Sequence, residues 1–224
     1  MTSPSSTLAE QTAAIAQASA GRLPTEVLSA FGADRAKLNV AGVPADVARV
    51  GSVVSDTDLL DAHGTPTTVG QARGNRPAVL VFYRGAWCPY CNLTLRTYQA
   101  QLVSELDAEG VALIAIRPQK PDGSLSMQET NELTYTGLSD PGNQISGQLG
   151  ILITSSPEVL AAQASLGLDL TTVNADGTPT IPMPTVVILD ADGTIRWIDV
   201  HPDYTTRTEP SEILAAVTSS LVRR

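Results

Sequence analysis

The chain of 224 residues is acidic and has enough apolar residues for one substantial core. The net charge of -9 disfavours nucleic acid or an anionic membrane surface as a partner. A hydrophobic content of 42% is sufficient for a domain-sized core. No apolar run approaches the roughly 18 residues of a membrane span. The first 21 residues contain no Lys or Arg and do not resemble a signal peptide, so a cytoplasmic location is predicted.

The first part of the chain predicts helices rather than chemistry. A weak helical stripe ends at Gly21, and a second helical pattern begins after Pro24 and continues to about Asn39. We interpret residues 1–45 as a helical extension, either a docked helix or a frayed arm. Residues 59–69 then predict a hairpin, because a polar turn with a glycine separates two short apolar runs.

The most informative stretch follows, where a strand leads into the only two cysteines of the chain. Residues 78–83 form a continuous apolar, β-rich run that is typical of a strand buried on both faces. Cys88, Pro89 and Cys91 follow after a short break, and apolar residues at helical spacing continue toward Gly110. Since proline suits the first position of a helix, Cys88 is predicted at the N-cap and Cys91 one turn further in.

This placement predicts redox chemistry. Unpaired backbone N–H groups and the helix dipole can lower the pKa of a cysteine at a helix N-terminus to roughly 3.5 to 7.5. Residues three apart on a helix have Cβ atoms about 5 to 6 Å apart, so two thiols there can form a disulfide. The alternatives are inert packing, a structural disulfide, and a zinc site that would need His63 and His201. We expect neither a metal nor another bound cofactor.

The remaining chain predicts alternating strands and helices. Residues 111–116 form a second buried strand, parallel to the first because a helix joins the two. The other predicted elements are a helix at 122–133, a helix at 157–168, a loop at 169–180, a hairpin formed by 185–189 and 194–200, and a final helix from Pro210.

This order of elements resembles the thioredoxin fold. The resemblance rests on a strand, a Cys-Pro-Tyr-Cys helix, a second strand, and a hairpin entered through residues 181–185. It implies an α/β protein whose central mixed sheet is flanked by helices. It also implies that Pro184 faces the two cysteines and follows Met183 through a cis peptide bond.

A wider resemblance covers roughly residues 46–220. Phe82–Gly85, Leu138–Pro141 and the segment from Asp203 to Pro210 are similar to the alkyl hydroperoxide reductase/thiol-specific antioxidant family, closest to its peroxiredoxin-like branch with a C-x-x-C motif. The resemblance implies a domain at 46–224, with an insertion between the second and third core strands.

The same resemblance implies a function. An antioxidant enzyme of this type reduces peroxides through a Cys88/Cys91 disulfide, and an external thiol of the thioredoxin, glutaredoxin or glutathione type regenerates the two thiols. A homodimer is possible, since many relatives pair.

The motif differs from that family at three positions. Counted from Cys91, Arg84 and Cys88 stand where peroxiredoxins have Pro and Thr, and Met183 aligns with their late-strand Arg. These differences leave two other hypotheses open, namely a disulfide reductase with little peroxidase activity and a redox sensor acting through residues 1–45.

The order of attack also stays open. The peroxiredoxin alignment makes Cys91 the attacking thiol, whereas the position at the helix start favours Cys88 as the more exposed and better activated thiol. Either order gives the same disulfide. Trp87 and Tyr90 flank the pair and are expected to shape access to it.

Overall fold

The computed structural model of the protein describes residues 6–121 and 132–221. Within these ranges the strands form one seven-stranded sheet, in the order β2-β1-β5-β4-β3-β8-β9, and one two-stranded sheet of β6 and β7. The strands are β1 Leu59–Leu60, β2 Pro66–Thr67, β3 Ala78–Phe82, β4 Ala112–Arg117, β5 Thr136–Ser139, β6 Leu152–Thr154, β7 Thr180–Pro182, β8 Thr185–Leu189 and β9 Ile195–Val200. Strands β3, β4 and β5 run parallel, and β8 and β9 continue the sheet in antiparallel directions. The sheet is therefore mixed, as predicted.

Helices pack around this sheet. They are α1 Leu8–Ala20, α2 Thr25–Ala41, α3 Val69–Arg73, α4 Pro89–Gln101, α5 Val103–Ala108, α6 Gln144–Gln148, α7 Pro157–Ser165, α8 Leu170–Val173 and α9 Pro210–Leu221. Together with the sheet they give the thioredoxin-like architecture that the sequence predicts. None of the helices in residues 6–121 and 132–221 is long and apolar enough to cross a membrane.

Strand β3 lies at the centre of the core because both of its faces are apolar. Val79, Val81 and Tyr83 belong to the hydrophobic cluster on the side of α4 and α9. Leu80 and Phe82 belong to the cluster on the opposite side of the sheet. The continuous apolar run therefore has the physical meaning predicted for it, with no side facing solvent.

The helix after the cysteines is shorter than its apolar pattern suggests. It begins at Pro89 with Cys88 as N-cap, as predicted, but it is interrupted at Leu102, from which α5 restarts. Leu102 and Leu106 are both completely buried, so the apolar spacing continues across the interruption and conceals it.

One further expectation changes in the segment between β4 and β8, and another cannot be compared with the described residues. The predicted loop at 169–180 contains the short helix α8 and the start of β7, because the Asp169 side chain caps the helix by accepting from the Thr171 backbone N–H. The predicted helix at 122–133 falls almost entirely outside the described residues. Strand β5 pairs with β4, so this long insertion contributes to the main sheet.

The N-terminal helices dock on the rest of the protein. Leu8 is only 1% exposed and packs in the cluster that contains both cysteines. The Glu209 carboxylate accepts hydrogen bonds from the backbone N–H groups of Leu8 and Ala9 at 3.0 and 2.9 Å, and Asn39 of α2 donates to Asp203. Of the two readings of this segment, docking is therefore the one the contacts support.

Candidate active site

The turn between β3 and α4 requires a glycine. Gly85 has a φ of +152°, and a Cβ atom there would lie 2.3 Å from the Trp87 indole nitrogen. The Cys88 backbone N–H donates to the Gly85 carbonyl at 3.2 Å, and the Asn92 side chain donates to the Ala86 carbonyl at 2.9 Å. This tight turn holds Trp87 against the glycine and presents Cys88 at the start of the helix.

The two cysteines lie side by side as free thiols. Cys88 is 1% exposed and Cys91 is fully buried, and the pair approaches to 3.1 Å. Conversion to a disulfide therefore requires only a small movement of one side chain.

Arg207 is the closest charged partner of Cys91. Its Nη2 atom donates to the Cys91 sulfur at 3.4 Å, while its Nη1 atom donates to the carbonyls of Tyr204 and Thr206. The Tyr98 hydroxyl of α4 donates to the Thr208 carbonyl at 2.7 Å. The helix that carries Cys91 is thus tied to the segment that carries Arg207.

Arg84 is the second positive charge of the site. It is 6% exposed, and its guanidinium carbon lies 4.9 Å from the ring centre of Trp87 and 4.2 Å from that of Tyr204. Within residues 6–121 and 132–221, no carboxylate lies within ion-pair distance of Arg84 or Arg207. The neighbouring sulfur atoms are therefore the groups on which these charges can act.

The two thiols have opposite acidities. Burial alone would raise the pKa of Cys91, but a hydrogen bond from the Cys88 thiol, the charges of Arg207 and Arg84 and the Arg84 backbone N–H lower it to about 5. Burial raises the pKa of Cys88 well above its ordinary value, and the hydrogen bond to Cys91 together with the charge of Cys91 raises it further. The site therefore favours a Cys91 thiolate that accepts a hydrogen bond from a protonated Cys88.

The expectation that Cys88 is the more acidic thiol is wrong, and exposure hardly distinguishes the two thiols, since Cys88 is 1% exposed and Cys91 0%. Both sulfurs are buried, and the hydrogen-bond donors and arginine charges converge on Cys91. Two specific charges and two hydrogen bonds outweigh the advantage that the helix N-terminus gives to Cys88.

The two sulfurs face different cavities. A large cavity of about 720 Å³ is lined by Cys88 but not by Cys91. A small cavity of about 10 Å³, close to the space that one water molecule needs, is lined by Cys91, Pro184, His201 and Arg207. The two cysteines thus line different cavities.

Most of the predicted site residues come together. Arg84, Trp87, Pro89 and Tyr90 line the large cavity with Cys88. Pro184 faces Cys91 across the small cavity, which agrees with the predicted proximity, whereas Met183 is buried and lines neither of these two cavities.

The described residues contain no cis peptide bond, so the Met183–Pro184 bond is trans. The expectation of a cis bond is therefore wrong, and the trans isomer is the one that an X–Pro bond intrinsically prefers.

Arg207 and Tyr204 are site residues that sequence reasoning did not identify as such. They belong to the segment from Asp203 to Pro210, for which the sequence indicates only a family resemblance. The family resemblance of this segment was the available signal, but the contact between Arg207 and Cys91 spans 116 residues of sequence.

The histidines do not join a metal-binding cluster. In residues 6–121 and 132–221, no three His, Cys, Asp or Glu side chains are grouped so that they could hold a metal ion. His201 pairs with Asp199 at 3.0 Å, and the backbone N–H of His63 donates to Asp61 in the β1–β2 turn.

The fold and the site define a thioredoxin-fold protein with a buried dithiol at the start of a helix. The sequence pattern of the AhpC/TSA family matches residues 50–198. The chain therefore belongs to the AhpC/TSA family, as its resemblance predicts.

Individual relatives agree with this assignment. A Haemophilus influenzae protein assigned as a peroxiredoxin, bcp, is 30% identical over 102 residues, which cover 46% of this chain and 64% of that protein. The match thus spans a little under two thirds of that relative. Peroxidoxin BcpB from Mycobacterium tuberculosis has a TM-score of 0.58 at 20% identity, covering 79% of this chain and 99% of its own.

A peroxiredoxin-like protein from Aquifex aeolicus has a TM-score of 0.60 at 17% identity, covering 77% of this chain and 88% of its own. At these identities the two structures establish the fold, which is the thioredoxin-like arrangement described above.

Proposed function

We propose that this protein is a thiol-dependent peroxidase in which Cys91 attacks the peroxide and Cys88 completes the disulfide. The observation that carries the proposal is the contact between the Arg207 guanidinium and the Cys91 sulfur, beside a second free thiol. Membership in the AhpC/TSA family supports the same reaction.

The first step is the attack of the Cys91 thiolate on the near oxygen of the peroxide. The O–O bond breaks, Cys91 becomes a sulfenic acid, and the departing oxygen takes up a proton from solvent and leaves as an alcohol or as water. A pKa of about 5 keeps Cys91 ionised near neutral pH, so that no separate base has to activate it.

Positive charge supports this step. The departing oxygen gains negative charge as the O–O bond breaks, and preorganised charges stabilise such a transition state. Arg207 and Arg84 supply this charge at the site, where Met183 occupies the position of the late-strand arginine of peroxiredoxins. Arginines at other positions of the chain can thus stabilise the charge on the departing oxygen.

The second step forms the disulfide. The Cys88 thiol attacks the sulfenic sulfur of Cys91 and releases water, and the proximity of the two side chains requires no large rearrangement. An external thiol then reduces the disulfide in two exchange steps, which release the oxidised form of that thiol. Thioredoxin-, glutaredoxin- and glutathione-type thiols are the candidate reductants.

The experiment compares two substrates. Purified, reduced protein is mixed with hydrogen peroxide or with a model protein disulfide, and the loss of free thiols is followed in the wild type, Cys88→Ser and Cys91→Ser. We expect oxidation by peroxide to be at least about 100 times faster than that of free cysteine, because thiolate fraction and charge both contribute.

Peroxide oxidation no faster than that of free cysteine would reject the proposal. In that case, rapid reaction with the protein disulfide would instead identify a disulfide reductase, the alternative that the C-x-x-C motif supports.

A further inference from the structure

The large cavity lies between the N-terminal helices and the redox turn. Its walls come from α1 and α2, from the turn that precedes α4, from the end of α7 and from Tyr204. At about 720 Å³ it has the size of a small-molecule site. No step proposed above places a ligand in it.

Among the residues that the structure describes, Cys88 is the only sulfur-containing one that lines this cavity. Cys91 does not line it, and the 1% exposure of Cys88 means that its sulfur lies beneath the cavity walls rather than on the outer surface. A small molecule bound in the cavity needs only a side-chain movement at Cys88 to reach the sulfur, whereas a folded protein would also have to displace α1 and α2.

The cavity lining is mainly apolar. Its apolar members are Ala16, Ala20, Leu23, Leu28, Phe31, Trp87, Pro89, Tyr90, Leu166, Leu168 and Tyr204. The two positive charges are already engaged, because Arg35 lies 3.9 Å from the Asp203 carboxylate and Arg84 stacks on two aromatic rings. This lining favours a ligand with an apolar body over a strongly hydrophilic one.

We propose that the large cavity binds the reductant of the Cys88–Cys91 disulfide, and that this reductant is a low-molecular-weight dithiol with an apolar body. This inference rests on the proposed function, since it concerns the regeneration of the same cysteine pair. It assigns the cavity to the second half of the cycle.

The chemistry balances with the dithiol alone. One thiolate of the dithiol attacks the Cys88 sulfur, the S–S bond breaks, and Cys91 leaves with the electron pair. The second thiol of the ligand then attacks the ligand sulfur of the mixed disulfide. This step releases Cys88 as a thiol and the ligand as a cyclic disulfide. The protein disulfide gains two electrons and the ligand loses two.

The position of the cavity suits this direction of attack. Thiol–disulfide exchange is faster when the departing thiol is the more acidic one, and Cys91 is the acidic member of this pair. A nucleophile arriving at Cys88 from the cavity expels Cys91 toward Arg207, which stabilises its negative charge.

The test measures reduction separately from oxidation by peroxide. Protein oxidised to the Cys88–Cys91 disulfide with diamide is mixed with dihydrolipoamide, dithiothreitol, glutathione or a thioredoxin, and the remaining disulfide is quantified by alkylation and mass spectrometry. We expect dihydrolipoamide to react at least about tenfold faster than dithiothreitol, because both are dithiols but only the first has an apolar body.

A variant that narrows the cavity localises the effect. Gly32 lines the cavity, and a Cβ atom there would meet nothing within 4 Å, so Gly32→Leu adds bulk without a backbone clash. We expect Gly32→Leu to lower the rate with dihydrolipoamide about tenfold relative to the rate with hydrogen peroxide. Ala33→Leu, which places a leucine at an exposed neighbour outside the cavity, is the control and is expected to leave both rates unchanged.

Three results would overturn the inference. The first is faster reduction by a thioredoxin or by glutathione than by dihydrolipoamide, and the second is an equal effect of Gly32→Leu and Ala33→Leu on the rates. The third is selective slowing of oxidation by cumene hydroperoxide in Gly32→Leu, which would assign the cavity to a bulky peroxide. Because diamide forms the disulfide, the comparison of the reductants is independent of whether peroxide is the physiological oxidant. Slow oxidation by peroxide would reject the proposed function and leave this test intact.

Discussion

Two arginines without a carboxylate partner in the described ranges face a pair of sulfur atoms. A buried guanidinium is costly unless a negative group compensates it, and the Cys91 thiolate is the group available here. Sulfur and arginine therefore stabilise each other. The pKa of Cys88 is raised by its burial, and it is raised further because its proton is held by the neighbouring sulfur.

Titration of the dithiol protein tests this pairing. We expect thiolate absorbance at 240 nm to rise with a midpoint near pH 5, because the pKa of Cys91 is lowered to about 5. The rate of oxidation by peroxide should rise over the same range and be constant by neutral pH. A single midpoint at roughly pH 8.5, the value of an ordinary cysteine, would show that the arginines do not act on the sulfur.

Removal of one arginine gives the complementary result. Arg207→Met removes a charge in contact with Cys91, so we expect the pKa of Cys91 to rise by about 1 to 3 units and oxidation at pH 6 to slow accordingly. Arg207→Lys should restore part of the shift. Arg196→Met is the control. Arg196 lies on β9 and pairs with Asp190 in the turn after β8, so its replacement should leave the titration unchanged.

The limits of sequence reasoning are clearest at these residues. Local features were predictable, since Pro89 defines the helix start and places Cys88 at its N-cap. The acidity of Cys91 was not, because it depends on Arg207, which the last strand and the loop after it bring back to α4. A prediction from helix position alone therefore selected the wrong thiol as the acidic one.

Helix α4 connects the sulfur site to the core. Leu95 and Tyr98 are buried beneath Cys91 in the same cluster, and the Tyr98 hydroxyl holds the segment that carries Arg207. The interruption of the helix at Leu102 escaped prediction because the buried leucines keep their spacing through it. The elements themselves were predictable from periodicity, but this discontinuity was not.

Tyr98→Phe separates positioning from stability. It leaves the Thr208 carbonyl without its donor, so we expect a loss of about 1 kcal/mol in the free energy of unfolding, measured in urea. The pKa of Cys91 should also rise, because Arg207 is held less firmly. Tyr135→Phe removes a buried hydrogen bond to the Leu95 carbonyl and should cost similar stability without that rise. Equal thiolate titrations of the two variants would exclude a positioning role for Tyr98.

The N-terminal extension packs against the rest of the protein. Its helices bury Leu8 and Val27 and form walls of the large cavity above Cys88. The sequence indicated helices here but not their contacts, because the apolar stripe of α1 is weak and the partner of its N-terminus, Glu209, lies about 200 residues away. The boundary at residue 45 stays a prediction.

Glu209→Gln tests how α1 is held. Replacing the carboxylate weakens the hydrogen bonds to the first N–H groups of α1 and removes a charge that suits the positive end of the helix, at a cost of about 1 kcal/mol. We expect faster hydrogen exchange in residues 8–20 with little change in β3. Glu105→Gln, on the exposed side of α5, is the matched control. Unchanged exchange in α1 would mean that its packing, and not Glu209, anchors it.

Trapping of the first oxidised sulfur is the most direct measurement. Cys88→Ser and Cys91→Ser proteins are each treated with one equivalent of hydrogen peroxide in the presence of dimedone, and the adducts are located by mass spectrometry. Rapid labelling of Cys91 in Cys88→Ser, and slow labelling of Cys88 in Cys91→Ser, is the outcome that the Arg207 contact requires. Faster labelling of Cys88 would refute the assignment of Cys91 as the attacking thiol.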